Sequence, residues 1–189
     1  MDYQKQILDY FSILKTTIDK IDTREIQKAL DCLIKARNTK HFIYTMGNGG
    51  SAATASHYAG DFNKGLSLGK EKRFRFIALN DNEPTILSLA NDVSYSSIFI
   101  EQLKNFLEPD DVVLCISGSG NSENVVSAAT YAKEHDATVI GLTGFDGGKL
   151  NKIADIKLHV PLNNMQIVED LHMVFDHLMM TVLSQEDKK

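Results

Sequence analysis

The stretch Tyr44-Thr-Met-Gly-Asn-Gly-Gly-Ser-Ala-Ala-Thr-Ala-Ser-His57 decides the fold. It reads as the end of a buried strand, a glycine turn and the first turns of a helix. Glycine lets the backbone take positive φ and lets a ligand come close. The unpaired amides at a helix start favour an anion. Strand, turn and helix in this order predict a phosphate cradle at a strand tip, with His57 and Asp61 further along one helix face.

Outward from this stretch, the pattern alternates. Strands are expected at His41 to Met46, Phe74 to Leu79, Val112 to Ile116, Thr138 to Thr143 and Ile156 to Val160. Helices are expected at Ser51 to Asn63, Thr85 to Ala90, Ser94 to Phe106, Ser122 to His135 and Met165 to Leu183. This alternation predicts an α/β fold with a doubly wound parallel sheet and a ligand at the carboxyl ends of its strands. Two further helices precede the first strand. One carries Ile7, Leu8, Phe11, Leu14 and Ile18 at helical spacing; the other follows a capping-box pattern, Asp22-Thr-Arg-Glu25. Packing on a partner subunit and covering the chain's own sheet both fit these helices.

The chain of 189 residues fits one domain, with 43% apolar residues for a core and a net charge of −5 that argues against general nucleic-acid binding. Cys32 and Cys115 lie far apart in apolar patterns and read as buried thiols in a reducing compartment. No apolar run is long enough for a bilayer, and Met1-Asp-Tyr-Gln-Lys5 has no signal-like core. A soluble, cytoplasmic protein is expected.

Gly47 to Ala52 formally matches the dinucleotide pattern Gly-x-Gly-x-x-Ala, a weak signal alone. Its usual acidic partner could only be Asp81, which sits in an ordinary polar turn. No Lys-Ser or Lys-Thr follows the glycines, so a P-loop is excluded. A second stretch, Ser117-Gly-Ser-Gly-Asn-Ser122, follows the third strand and forms another hydroxyl-rich nest before a helix. Two small nests at one end of one sheet fit a monophosphate better than a dinucleotide.

The closing helix has an apolar stripe of Ile167, Leu171, Val174, Phe175, Leu178 and Val182. Glu169 and His177 share the other side with Met173 and Met180. Methionines in place of lysines predict that this face is covered too. His57 and Asp61 could then meet Glu169 and His177, while Asp170 and Asp176 remain alternatives to Glu169. His172 reads as a structural histidine.

Taken together, Gly47-Asn-Gly-Gly-Ser51, His57, Asn91-Asp92, Ser117 to Ser122, Leu142-Thr-Gly144 with Asp146-Gly-Gly-Lys149, and Glu169 with His177 resemble the bacterial phosphoheptose isomerases. These are sedoheptulose-7-phosphate isomerases of the sugar-isomerase (SIS) superfamily. The resemblance spans nearly the whole chain. It implies a single SIS domain over 1–189, a three-layer sandwich whose five-stranded sheet has flavodoxin-like order. Residues 1–38 would pack on partner subunits and 39–189 would form the core. It implies a homotetramer with sites between subunits. It implies substrate binding by Asn48, Gly49, Gly50, Ser51, Asn91, Asp92, Ser117, Gly118, Ser119, Ser122 and Glu169. It also implies acid–base catalysis by Asp61 and His177, and a divalent metal, Zn2+, at His57, Asp61, Glu169 and His177, with no organic cofactor.

Three departures stand out. Asp61 replaces the family's longer Glu, retracting the carboxylate by roughly 1.5 Å. Glu169 replaces its Gln, and Lys64 stands near the place of its Arg. The activity implied is aldose–ketose isomerisation of a sugar phosphate through an enediol. A non-catalytic phosphosugar- or protein-binding SIS module is the alternative, and a dinucleotide enzyme a third reading.

Overall fold

A computed structural model describes residues 2–186. Two leading helices, α1 (Tyr3–Ile18) and α2 (Thr23–Thr39), precede β1 (Ile43–Met46) and α3 (Gly50–Gly60). A π-helical turn, Asp61–Gly65, follows α3 and leads to β2 (Phe76–Ala78), α4 (Glu83–Asp92) and α5 (Ile100–Phe106). Then come β3 (Val112–Ser117), α6 (Glu123–Glu134), β4 (Thr138–Thr143), α7 (Leu150–Ile153), β5 (Ile156–His159) and α8 (Met165–Glu186).

The five strands form one parallel sheet in the order β2-β1-β3-β4-β5. The chain reverses its winding direction between β1 and β3, and the loops after these strands part there. Strand residues alternate between two cores. Ile43, Val112, Leu114, Ile116, Ile140 and Leu142 pack with α2, α3 and α8 on one face. Tyr44, Met46, Val113, Cys115 and Val139 pack with α5, α6 and α7 on the other. Helices on both faces are what make β1 and β3 apolar on both sides. This is the three-layer α/β fold that the alternation of elements predicts.

Several boundaries move for local reasons. Asn82 caps α4 by accepting from Thr85 N, and Pro84 sits in the first turn, so α4 starts earlier than expected. The expected helix from Ser94 divides into a 3-10 turn, Tyr95–Ser97, and α5, with Ser97 Oγ turned back to Ser94 O. The capping box before α2 forms only in part. Asp22 caps Arg24 N, but Glu25 accepts from Lys157 N at 2.8 Å and ties α2 to β5.

The apolar stripe of α1 does not cover the sheet. Ile7, Leu8, Phe11 and Ile18 are exposed, Tyr10 and Leu14 pack partly against the core, and Thr17 is buried. The stripe of α8 is rotated from the expected one. Ile167, Val168, Leu171, His172, Phe175, Asp176, Met179 and Leu183 are buried, while Val174, Leu178 and Val182 face outward. No helix among the described residues is long and apolar enough to cross a membrane. Cys115 is buried and Cys32 half-buried; burial pushes their thiols up to about 12 and about 11, so both stay protonated.

Candidate active site and metal centre

The first cradle is built by backbone constraint. Gly49 takes φ +56 at the cap of α3, and a Cβ on Gly47 would stand 2.7 Å from Ser51 atoms. The turn is held to β2 by Asn80, which accepts from Gly47 N at 3.2 Å and donates to Gly47 O at 2.8 Å. No side chain caps α3, which leaves its first turn open to an anion.

The second cradle follows β3. Ser117 Oγ donates to Ser122 Oγ at 3.1 Å, and Ser119 Oγ accepts from Asn121 N at 3.2 Å. Gly120 has φ +64, and a Cβ there would lie 2.0 Å from Gly147 O, so the loops after β3 and β4 are in direct backbone contact. Ser122 starts α6 without closing it by a side-chain bond.

One reciprocated amide pair joins the two cradles. Asn48 donates to Asn124 Oδ1 and Asn124 donates to Asn48 Oδ1, both at 2.9 Å. Tyr95 Oη also donates to Asn48 Oδ1, at 2.8 Å. Between the cradles lies a small cavity of about 100 Å³, walled by Asn48, Ser51, Ser117, Gly118, Ser119, Ser122, Met165 and Glu169. A wider cleft of about 400 Å³ shares Asn48 and Ser122 and adds Ser94, Tyr95 and Ser96. These last residues and Asn124 escaped the sequence reading, because nothing in a polar turn marks it as facing a site. Asn91 and Asp92 bond to each other at the exposed end of α4 and line neither space within this chain. Asp81 accepts from Ser56 Oγ at 2.6 Å instead of standing free for a ribose.

Behind the cradles, α3 and the π turn face α8. His57 Nε2 lies 3.1 Å from His177 Nε2, 3.5 Å from Asp61 Oδ2 and 3.7 Å from Asp176 Oδ2. One ligand atom from each of these four residues falls within 4.8 Å of all the others. Asp61 opens the π turn, whose i→i+5 bond runs from Leu66 N to Asp61 O at 3.0 Å. Such turns set a side chain off the helical register. Asp176 is fully buried, and neither of its carboxylate oxygens has a hydrogen-bond partner.

That cluster fits a metal. Zinc-like bonds of about 2 Å in tetrahedral array put ligand atoms roughly 3.3 Å apart, close to the 3.1, 3.5 and 3.7 Å that separate His57 from the other three residues. Two imidazoles and two carboxylates are good donors, and the orphaned Asp176 oxygens lack the counter-charge that an ion would bring. Glu169 is not in this group. Its carboxylate lies against Gly50, where an added Cβ would stand 2.6 Å from Oε2, at the cradle end of α3.

Burial, and secondarily the nearby Asp61, pushes the Asp176 carboxyl up to about 7. Burial holds the Tyr58 phenol far above its usual range, with Asp176 adding to the effect. His172 behaves as a structural histidine. It is fully buried, burial holds it down to about 4, and its Nε2 lies 3.2 Å from Thr143 O, which can only accept.

The chain matches the SIS domain model over residues 3–144. It is 37% identical over 164 residues to the phosphoheptose isomerase of Helicobacter hepaticus, covering 87% of this chain and 83% of that protein. The chain belongs to the SIS-domain family, among the phosphoheptose isomerases. The phosphoheptose isomerase of Aliarcobacter butzleri is 31% identical over 182 residues, which is 95% of this chain and 96% of that one. Among solved structures, phosphoheptose isomerase GmhA from Neisseria gonorrhoeae superposes with a TM-score of 0.88 at 28% identity, over 97% of this chain and 99% of that one. A phosphoheptose isomerase from Francisella tularensis gives 0.90 at 26% identity, over 98% and 100%. With the chain placed among the phosphoheptose isomerases, the dinucleotide reading falls away.

Proposed function

We propose that this chain is an aldose–ketose isomerase that converts sedoheptulose 7-phosphate to D-glycero-D-manno-heptose 7-phosphate through an enediol. The observation that carries the reading is the pairing of two anion cradles, tied by Asn48 and Asn124, with a His and carboxylate cluster two turns further along α3. Membership among the phosphoheptose isomerases supports the substrate.

Ser51, Ser117, Ser119 and Ser122, with the open first turns of α3 and α6, are the proposed phosphate ligands. Gly49 keeps the backbone bare where the sugar phosphate would approach, while Gly50 and Gly118 make room for the Glu169 carboxylate and the Met165 sulfur that wall the cavity. Asn91 and Asp92, exposed in one chain, are proposed to serve a site completed by a neighbouring subunit. Asp61 is proposed to take the proton from the carbon beside the carbonyl, and His177 to supply one to the carbonyl oxygen. His57, Asp61 and His177 would also hold a divalent ion, proposed to be Zn2+, which when bound polarises a carbonyl as a Lewis acid. Asp61 has two oxygens and can offer one to an ion and the other to a proton. His177 aims its Nε2 at the cluster, so it would supply the proton only in protein without the ion; with the ion bound it would serve as a ligand, and the ion would polarise the carbonyl oxygen in place of the acid.

A homotetramer is proposed, with residues 1–38 at its contacts. The exposed apolar residues of α1 and the outward Val174, Leu178 and Val182 of α8 support it, since such area is normally covered. A cytoplasmic location is proposed from the substrate class. Turnover of sedoheptulose 7-phosphate to an aldoheptose phosphate tests the reading. Absence of conversion, with and without added Zn2+, would leave the non-catalytic binding module as the better account.

A further inference from the structure

We infer that the fourth metal ligand of this chain is Asp176, and that Glu169 is left to the sugar-phosphate cavity. The inference deepens the metal reading above and rests on it.

Helices α3 and α8 lie side by side in the same direction. Gly50 meets Glu169 at one end, and His57 meets His177 further along. Seven residues of α3 separate Gly50 from His57, roughly 10 Å of helix rise. Eight residues of α8 separate Glu169 from His177, roughly 12 Å. A carboxylate resting on Gly50 is thus at the cradle end of the site, not at the histidine end. Glu169 walls the small cavity beside Ser51 and Ser119.

Asp176 is adjacent to His177 and reaches the cluster directly, with Oδ2 at 3.7 Å from His57 Nε2. Its side chain is inaccessible to water, and both oxygens lack a donor. A buried carboxylate without a donor or counter-ion is strongly unfavourable in its charged form. The groups around it leave it without a hydrogen bond, since even the facing imidazole of His57 stands 3.7 Å away. Asp61 repels it, and the buried Tyr58 hydroxyl has no hydrogen-bond partner either. A divalent cation among His57, Asp61, Asp176 and His177 removes that penalty, because two carboxylates balance its charge and two neutral imidazoles complete four donors.

Two consequences follow. Held by two carboxylates and two imidazoles, the ion would be charge-balanced with a filled tetrahedral shell, and it would polarise a carbonyl only by taking a fifth ligand. The cavity between the cradles keeps a carboxylate of its own, within reach of the sugar, that no ion has claimed.

The test is Zn2+ affinity of metal-stripped full-length protein, by competition with a chromophoric chelator, for wild type, Asp176→Asn and Glu169→Gln. Loss of affinity by at least about 100-fold in D176N, with E169Q within a few-fold of wild type, is the expected result. Circular dichroism of the stripped proteins checks folding, and Asp176→Ser is the second variant if D176N does not fold. Wild-type affinity in D176N, or loss in E169Q equal to that in D176N, overturns this inference alone. A wild type that binds no divalent ion overturns the metal reading and this inference together.

Discussion

His57 Nε2 and His177 Nε2 stand 3.1 Å apart, brought together from helices 120 positions apart in the chain. Two lone pairs cannot face each other at that distance, so either a proton or a cation belongs between them. The cation reading makes a stability prediction. Metal-stripped wild type should gain about 2.7 kcal/mol when Zn2+ is supplied at a hundred times its dissociation constant. H177A should show no such gain in a thermal melt.

Asp61 is the carboxylate proposed to move the substrate proton. Asp61→Asn keeps the shape and removes the base. Its kcat should fall by about 10²–10⁴-fold while KM changes little, because the phosphate cradles are untouched. Steady-state kinetics with sedoheptulose 7-phosphate would show this split.

Ser122 sits at the start of α6 and receives the Ser117 hydroxyl. Removing a hydroxyl that bonds a charged phosphate costs about 1.5–3 kcal/mol. Ser122→Ala should therefore raise KM by roughly 10- to 100-fold and leave kcat nearly unchanged. Isothermal titration with the sugar phosphate is the direct check.

Burial and Asp61 hold the Asp176 carboxyl at about 7, against an ordinary value of 3.8. Between those pH values the folded chain keeps a proton that the unfolded chain has released, so stability falls as pH rises through the window. Metal-stripped wild type should lose stability relative to D176N from about pH 4 to 7, and change no further above it. His172, held down to about 4 by burial, gives the opposite slope in both proteins and cancels in the difference. Urea denaturation across the window measures it.

Phe11 is 52% exposed on α1, beside exposed Ile7 and Leu8. If these residues close a subunit contact, Phe11→Glu should lower the assembly state of the protein without unfolding the SIS core. Light scattering on a sizing column gives the mass.

The strands and both cradles were legible in the sequence because their signals are local. A β-branched run followed by Gly47–Ser51 or Ser117–Ser122 can hardly be anything but a strand tip, and parallel winding then brings the tips together. The centre behind them was legible only by half. His57 and Asp61 share a face by simple spacing, but α8 is apolar nearly all round, so two stripes offset by one position compete. The stripe through Val174, Leu178 and Val182 turned outward, and the one through His172, Asp176 and Met179 turned in. That rotation is what brings Asp176 to His57. Its trace in the sequence was an acidic residue lodged among apolar ones, beside His177. The tie between Asn48 and Asn124 had no trace, since the two are 76 positions apart and depend on the pairing of β1 with β3.

The reaction proposed for this site moves a proton between neighbouring carbons of a phosphorylated sugar. Nuclear magnetic resonance of sedoheptulose 7-phosphate incubated with the Zn2+-supplied protein in D2O tests it most directly. The account predicts an aldoheptose 7-phosphate with the phosphate intact and solvent deuterium at the carbon next to the carbonyl. Unchanged, unlabelled sedoheptulose 7-phosphate after prolonged incubation would contradict it.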